Sequence, residues 1–179
     1  MIQFRISVKG VKPEIWRKLL VSSDITLEKL HTVLQVLMGW KNHHLYAFVI
    51  NQKRYSPPNE DGGDDAGKSN LIQTKLSGIS EKSLEAITYE YDFVDGWEIE
   101  LQNETRSDDL QQNQPAQCIE GSRHGPAEDS GGSRGYMEKA RIYGNPQHRR
   151  YLEIRKLIGP DFDPEAFDLR QTNEILKEI

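Results

Sequence analysis

The stretch Ile87–Leu101, ITYEYDFVDGWEIEL, decides the fold. Ile87, Tyr89, Tyr91 and Phe93 alternate with Thr88, Glu90 and Asp92. After Val94-Asp95-Gly96, Trp97, Ile99 and Leu101 alternate with Glu98 and Glu100. Successive strand side chains point to opposite faces, so this is a pair of half-buried strands joined by a turn. A two-residue Asp95-Gly96 loop pairs Val94 with Trp97 and sets Tyr91 against Glu100 on the core face. A three-residue loop pairs Phe93 with Trp97, Tyr91 with Ile99 and Tyr89 with Leu101. Every apolar residue then lies on one side, so the longer loop is expected, with Gly96 at positive φ in a bulge.

Upstream, Ile2, Phe4, Ile6 and Val8 alternate with polar residues, and Glu14–Ser22 reads as their antiparallel partner. Thr26 caps a helix with Glu28 in its first turn, and Gly39 stops it. Its apolar stripe is Leu27, Leu30, His31, Leu34, Leu37 and Met38, so Leu30, Leu34 and Leu37 should be buried. His44–Ile50 is a further strand, with a return at Arg54-Tyr55. Ser56–Ser69 is a surface loop whose acids lack the order of an EF-hand.

Downstream, residues 103–135 hold little apolar content beyond Leu110 and Ile119, and so long an irregular run points to function or disorder. Helices are expected at Tyr136–Tyr143 and from Pro146, the latter with Tyr151, Leu152, Arg155 and Ile158 on one side. Asp163-Pro164-Glu165 has the pattern of a helix start. Asp168 and Gln171 cap a last helix with the stripe Leu169, Thr172, Leu176 and Ile179. Strands around one helix, followed by helices, define an α+β chain: an antiparallel sheet with packed helices, one domain over residues 1–179.

The 23 basic and 28 acidic residues leave a net charge of −5, a poor balance for a non-specific nucleic-acid or anionic-membrane binder. One cysteine excludes an intramolecular disulfide. No apolar run approaches the ~18 residues of a membrane span, and the N-terminus lacks the apolar core of a signal peptide. A cytoplasmic protein is expected.

Several segments together resemble a known family: VKPEIWRKLLV, ITLEKLHTVLQVLMGW, HHLYAF, YEYDFVDGWEIEL, GPAEDSGGSRGY and DFDPEAFD. They are similar to the plasmid Ri open-reading-frame-three-like proteins, over Phe4 to about Leu176. The resemblance implies a single roll-like α+β domain of prokaryotes and plasmids. It implies no established activity. Relatives tend to carry cysteines in the glycine-rich segment, where this chain has His124 and Ser130, so a cysteine-rich site is at least partly dismantled here.

Four constellations carry chemistry. Cys118, His124 and His148, with Glu128 or Asp129, are the residue types of a zinc shell, but their spacing is loose and no CxxC anchors it. The expectation is no metal and no other cofactor. His31, His44, Asp92 and Asp95 offer imidazole–carboxylate pairs for acid–base work, with no nucleophile motif beside them. His31 lies on an apolar stripe, Asp95 in a tight turn, and Asp92 alternates away from the aromatic face. Gly131-Gly132-Ser133-Arg134-Gly135 can present backbone N–H groups to an anion, although it is no P-loop. His148, Arg149, Arg150, Tyr151, Arg155 and Lys156 form a basic helix interrupted by Glu153.

A binding or interaction module is the first expectation. A metal-dependent or acid–base enzyme and a nucleic-acid accessory factor are the alternatives. The partner is unknown, with no membrane. The candidate binding residues are His44, Asp92, Asp95, Trp97, Glu128, Asp129 and Tyr136, where the glycine-rich loop should meet the hairpin end and the strand carrying His44.

Overall fold

In the computed structural model the described residues are 1–57, 69–106 and 114–179. Most of the expected 56–69 loop, and Leu110, lie outside them. The strands are β1 (Ile2–Val8), β2 (Trp16–Val21), β3 (Tyr46–Ile50), β4 (Lys53–Ser56), β5 (Ser69–Asn70), β6 (Ala86–Tyr91), β7 (Trp97–Arg106) and β8 (Ala116–Ser122). The helices are α1 (Leu27–Met38), the short α2 (Glu81–Leu84), α3 (Gly132–Tyr143), α4 (Tyr151–Ile158) and α5 (Leu169–Leu176). The strands form one sheet in the order β5-β4-β3-β6-β7-β1-β2-β8. Every neighbouring pair is antiparallel except the two-residue contact of β4 with β5. The α+β reading of the alternating segments is thereby met.

One face of the sheet is the core. Ile2, Phe4, Ile6 and Val8 of β1 are buried, and the residues between them are half-exposed. Helix α1 contributes Leu30, Leu34 and Leu37, all buried. Its caps follow the sequence: Thr26 Oγ1 accepts from Lys29 N, and Gly39 closes the helix at φ 71°.

The hairpin register differs from expectation by two residues. Tyr91 faces Trp97, Tyr89 faces Ile99 and Ile87 faces Leu101, so the loop is the five residues Asp92–Gly96. Asp92 ends β6 in the left-handed region, at φ 54°. Its Oδ1 accepts from Val94 N (3.1 Å) and Asp95 N (3.2 Å), and its carbonyl accepts from Gly96 N (2.6 Å). That local turn ends the ladder early and leaves Phe93 half-exposed. A shift of two keeps every side chain on its face, so the one-face criterion does not separate the two loops. Asp92 is buried rather than alternating outward. Gly96 has φ 66°, as expected, with open space where a Cβ would stand. Gly96→Ala should therefore cost only the conformational penalty, about 1 kcal/mol, measurable as a shift of the urea midpoint.

Residues 103–135 are more ordered than their composition suggests. β7 runs on to Arg106, and β8 forms the sheet edge. β8 escapes a pattern search because only Ala116 and Cys118 of it are fully buried, while Ile119 is exposed. Its outer edge is bonded by a side chain of α5: Asn173 Oδ1 accepts from Cys118 N (2.9 Å) and Asn173 Nδ2 donates to Cys118 O (2.8 Å). An amide thus blunts the open strand edge.

The C-terminal helices depart in detail. α3 begins at Gly132, earlier than Tyr136. α4 begins at Tyr151 and buries Ile154, with Leu152 exposed. Asp163 accepts from Glu165 N (2.9 Å), but a turn follows instead of a helix. Asp168 caps α5 by accepting from Gln171 N (2.8 Å). Leu176 is the buried member of its stripe.

Among the described residues six polar side chains are buried, Arg17, His31, Gln35, Asp92, Arg123 and Ser130, and two of them bear on stability. His31 is bonded on both nitrogens, to the Tyr89 hydroxyl (2.7 Å) and Asn42 Oδ1 (2.9 Å), and its ring stacks on Tyr46 at 3.5 Å. Asn42 Oδ1 is an acceptor, so Nε2 carries the proton and Nδ1 accepts from Tyr89. Burial pushes the imidazole down from 6.5 to about 4. The unfolded chain therefore binds a proton that the folded chain refuses. Stability present above pH 6.5 is lost as pH falls toward 4. The loss should be about 3 kcal/mol between pH 7 and pH 4, by chemical denaturation, and His31→Gln should flatten that part of the profile.

Arg17, 1% exposed, is the other of these two. It donates to four backbone carbonyls: Leu37 (3.2 Å), Trp16 and Ser122 (2.8 Å each) and Arg123 (2.8 Å). Its guanidinium also stacks on Phe167 at 3.8 Å. Burial pulls it down to about 10.

Candidate functional site

Three segments meet at one end of the sheet. β3 pairs with β6, with Tyr46 opposite Tyr91, and Asp92 N donates to Leu45 O (2.9 Å). That pairing sets His44, just before β3, beside Asp92, just after β6. The 123–131 segment supplies Asp129. His44 Nδ1 lies 3.7 Å from Asp92 Oδ2, and His44 Nε2 lies 3.3 Å from Asp129 Oδ1. One ligand atom from each residue lies within 4.8 Å of the other two. The Asp92 side chain is 5% exposed, that of His44 25% and that of Asp129 75%. His44 Nε2 is itself buried and has no hydrogen-bond partner among the described residues.

The loop bearing Asp129 is fixed from both ends. Glu128 Oε1 accepts from the Tyr91 hydroxyl (2.6 Å) and Oε2 from Lys41 N (3.0 Å). Burial and then the Glu128 carboxylate push the Tyr91 phenol upward, so the hydroxyl remains a donor. Trp40 stacks on Tyr91 (4.6 Å, 17°) and donates from Nε1 to Pro126 O (2.8 Å). Asp95 Oδ2 accepts from Gly131 N (2.8 Å). Gly132 at φ 66° lets Asp95 O come within 2.2 Å of where a Cβ would stand. The anion at the glycine-rich start of α3 is thus the chain's own Asp95. Asn42, Asp92 and Asp129, with φ of 57°, 54° and 56°, flank the cluster. Strained backbone of this kind gathers where surrounding structure over-determines a site.

The sequence candidates divide accordingly. His44, Asp92 and Asp129 come together. Glu128 and Asp95 hold the loop against the hairpin. Trp97 and Tyr136 lie beneath, both 1% exposed, edge-to-face at 6.3 Å. The zinc trio does not assemble. Cys118 is buried against β2 and α5, with burial pushing its thiol up to about 11. His124 Nδ1 donates to Gly125 O (2.7 Å), and His148 Nδ1 accepts from Arg150 N (3.1 Å). Among the described residues His44, Asp92 and Asp129 are the metal-capable group found. His31 serves the core, and Arg150 of the basic helix is held by Glu153 and Glu138. Arg17 was missed by sequence reasoning; the signal is an arginine at an inward position of β2, in phase with Leu19 and Val21.

A single α+β sheet domain with one helical face, a polar cluster at the strand ends and no membrane-length apolar helix among the described residues is the class these features define. The chain belongs to the family of plasmid pRiA4b ORF-3-like proteins, whose model matches residues 1–171. It is 32% identical to uncharacterized protein y4hQ of Sinorhizobium fredii, over 100% of this chain and 92% of that one. The crystal structure of MM3350, a protein of unknown function from Methanosarcina mazei Go1, superposes with a TM-score of 0.81 at 28% identity, covering 95% of this chain and 96% of the other. The relatives are prokaryotic and bring no specific function with them.

Proposed function

We propose that this chain is a cytoplasmic binding module whose ligand is a divalent transition-metal ion held by His44, Asp92 and Asp129. The carrying observation is that three metal-ligand side chains converge while His44 Nε2 is left without a hydrogen bond. One imidazole and two carboxylates suit zinc or manganese. Two metal–ligand bonds of ~2.1 Å span at most ~4.2 Å, so the cluster has to contract by roughly half an ångström. The exposed Asp129 has the freedom to do so. Asp92 is already oriented by two backbone N–H groups, the outer support that metal ligands need. Three protein ligands leave a coordination position for a small molecule or water. This reading replaces the sequence expectation of no metal, which rested on Cys118, His124 and His148.

A second reading is favoured by one detail: the two carboxylates approach opposite nitrogens of the ring. Asp92 then orients the ring through Nδ1–H, and Nε2 with the exposed Asp129 forms an imidazole–carboxylate pair able to pass a proton to or from a ligand. Calorimetric titration of chelator-treated, tag-free protein with zinc separates them. The metal reading expects one ion per chain. Asp92→Asn keeps the Oδ1 that the turn uses and removes the charge, so it should weaken binding by about 100-fold. Affinity should also fall on acidification, because the ligands must be deprotonated. No heat of binding, or binding unchanged in Asp92→Asn, would sink the metal reading.

A further inference from the structure

Residues 40–43, between α1 and β3, belong to neither helix nor strand, and they deliver His44 to the cluster. A connector has no ladder for its backbone N–H groups, which turn to side chains or water. Here four successive N–H groups are bonded within the protein. Trp40 N donates to Gln35 O (2.9 Å), Lys41 N to Glu128 Oε2 (3.0 Å), Asn42 N to Gln35 Oε1 (2.8 Å) and His43 N to the Tyr91 hydroxyl (3.0 Å). The first of these closes the end of α1. The other three go to side chains, of which Gln35 and Tyr91 are buried.

Asn42 also closes a circle of hydrogen bonds that runs one way. Gln35 Nε2 donates to the Tyr89 hydroxyl oxygen (2.9 Å), and the Tyr89 hydroxyl donates to His31 Nδ1 (2.7 Å). His31 Nε2 donates to Asn42 Oδ1 (2.9 Å), and Asn42 N donates back to Gln35 Oε1 (2.8 Å). Each link fixes the next, so the Gln35 amide, the Tyr89 hydroxyl rotor and the His31 tautomer share one consistent arrangement. A fully satisfied polar network rigidifies what it holds. Gln35 and His31 stand on α1 and Tyr89 on β6, whereas Asn42 lies outside both, exposed, at φ 57°. None of the four belongs to the His44, Asp92 and Asp129 group. The circle ends two residues before His44, whose ring meets Tyr91 edge-on (5.6 Å, 84°) while Trp40 stacks on the same Tyr91. A binding side chain has to be held within ~0.5 Å of its productive position, and supporting hydrogen bonds do this.

We propose, resting on the metal reading above, that Asn42 is a positioning residue of that site: by closing the circle it locks residues 40–43 and fixes where His44 stands, so that hydrogen bonds between α1 and β6 set the affinity for the ion. The competing role is purely structural, with the circle serving only to join α1 to β3.

Zinc is the probe, titrated by calorimetry into the full chain and its variants, with the His44 ring resonances followed in the metal-free protein. Glycine adopts φ 57° without strain and Asn42 is exposed, so Asn42→Gly should fold, its thermal midpoint lowered by a few degrees at most. It removes Oδ1 and frees the connector, and should weaken zinc about tenfold, the lower end of what outer supports of metal ligands contribute. The His44 ring, one set of resonances in the wild type, should broaden or double in Asn42→Gly. Asn42→Asp keeps an acceptor at Oδ1 and tolerates the same backbone, so it should return the single set. Asp168→Ala removes the cap of α5, outside the cluster, and should lower stability while leaving zinc affinity unchanged. Zinc binding as tight in Asn42→Gly as in the wild type, with one set of His44 resonances in both, would overturn the positioning role and leave the metal reading standing. An affinity loss in Asp168→Ala as large as in Asn42→Gly would also overturn it, because affinity would then merely follow stability. A wild type that binds no zinc would overturn the metal reading and this inference together.

Discussion

Arg17→Met should lower the stability of the fold by about 3–5 kcal/mol, by urea denaturation at neutral pH. Methionine preserves much of the buried bulk, so the loss reports the guanidinium rather than a cavity. Four carbonyls lose their donor at once, from Trp16, Leu37, Ser122 and Arg123. They belong to β2, the end of α1, the end of β8 and the residue beyond it. One side chain therefore ties the last turn of the central helix to the edge of the sheet. Leu37 O lies among the end carbonyls of α1, where the helix dipole favours a cation. Among the described residues no carboxylate hydrogen-bonds Arg17, so the charge rests on carbonyl dipoles and the Phe167 ring. Arg17→Lys offers three donors without the planar fork and should recover only part of the loss. A change below about 1 kcal/mol would show that the carbonyls find other partners.

Gly132→Ala should cost about 4 kcal/mol and disable the site with the fold. A Cβ there would stand 2.2 Å from Asp95 O, inside any tolerable contact, and the residue sits at φ 66°. The conformational term is about 1–2 kcal/mol, and relieving a backbone clash adds about 1–3 kcal/mol. Separating the two loops also breaks the Gly131 N–Asp95 Oδ2 bond, a charge-assisted contact. Asp129 leaves its place beside His44 when that bond goes. The expected signature is a lower urea midpoint together with lost metal affinity. Gly96→Ala is the contrast, since its Cβ meets nothing and the loop contact survives.

The sheet was legible where one face is buried and the other wet. β1, β6 and β7 alternate cleanly because each contributes one side to the core. The helix from Thr26 to Gly39 was legible because its stripe and both caps are local. Register was not, since a two-residue slip changes no face and Asp92 decides the turn through its own side chain. β8 was not, since an edge strand with two fully buried residues carries almost no periodic signal. The candidate cluster was partly legible. Its residue types stood in family-matching segments, and the loop, hairpin end and His44 do meet. The burial of Asp92 and the bracing of Glu128 by Tyr91 arise from tertiary contacts that no local pattern encodes. The Cys118, His124 and His148 grouping did not assemble because the latter two serve local turns and Cys118 fills a core position.

The most direct measurement is an anomalous difference map from crystals soaked in zinc and recorded at the zinc edge. The account predicts one strong peak about 2.0–2.2 Å from a nitrogen of His44 and from oxygens of Asp92 and Asp129, absent from Asp92→Asn crystals. A strong peak at Cys118, His124 or His148, or no peak near His44 at saturating zinc, would contradict it.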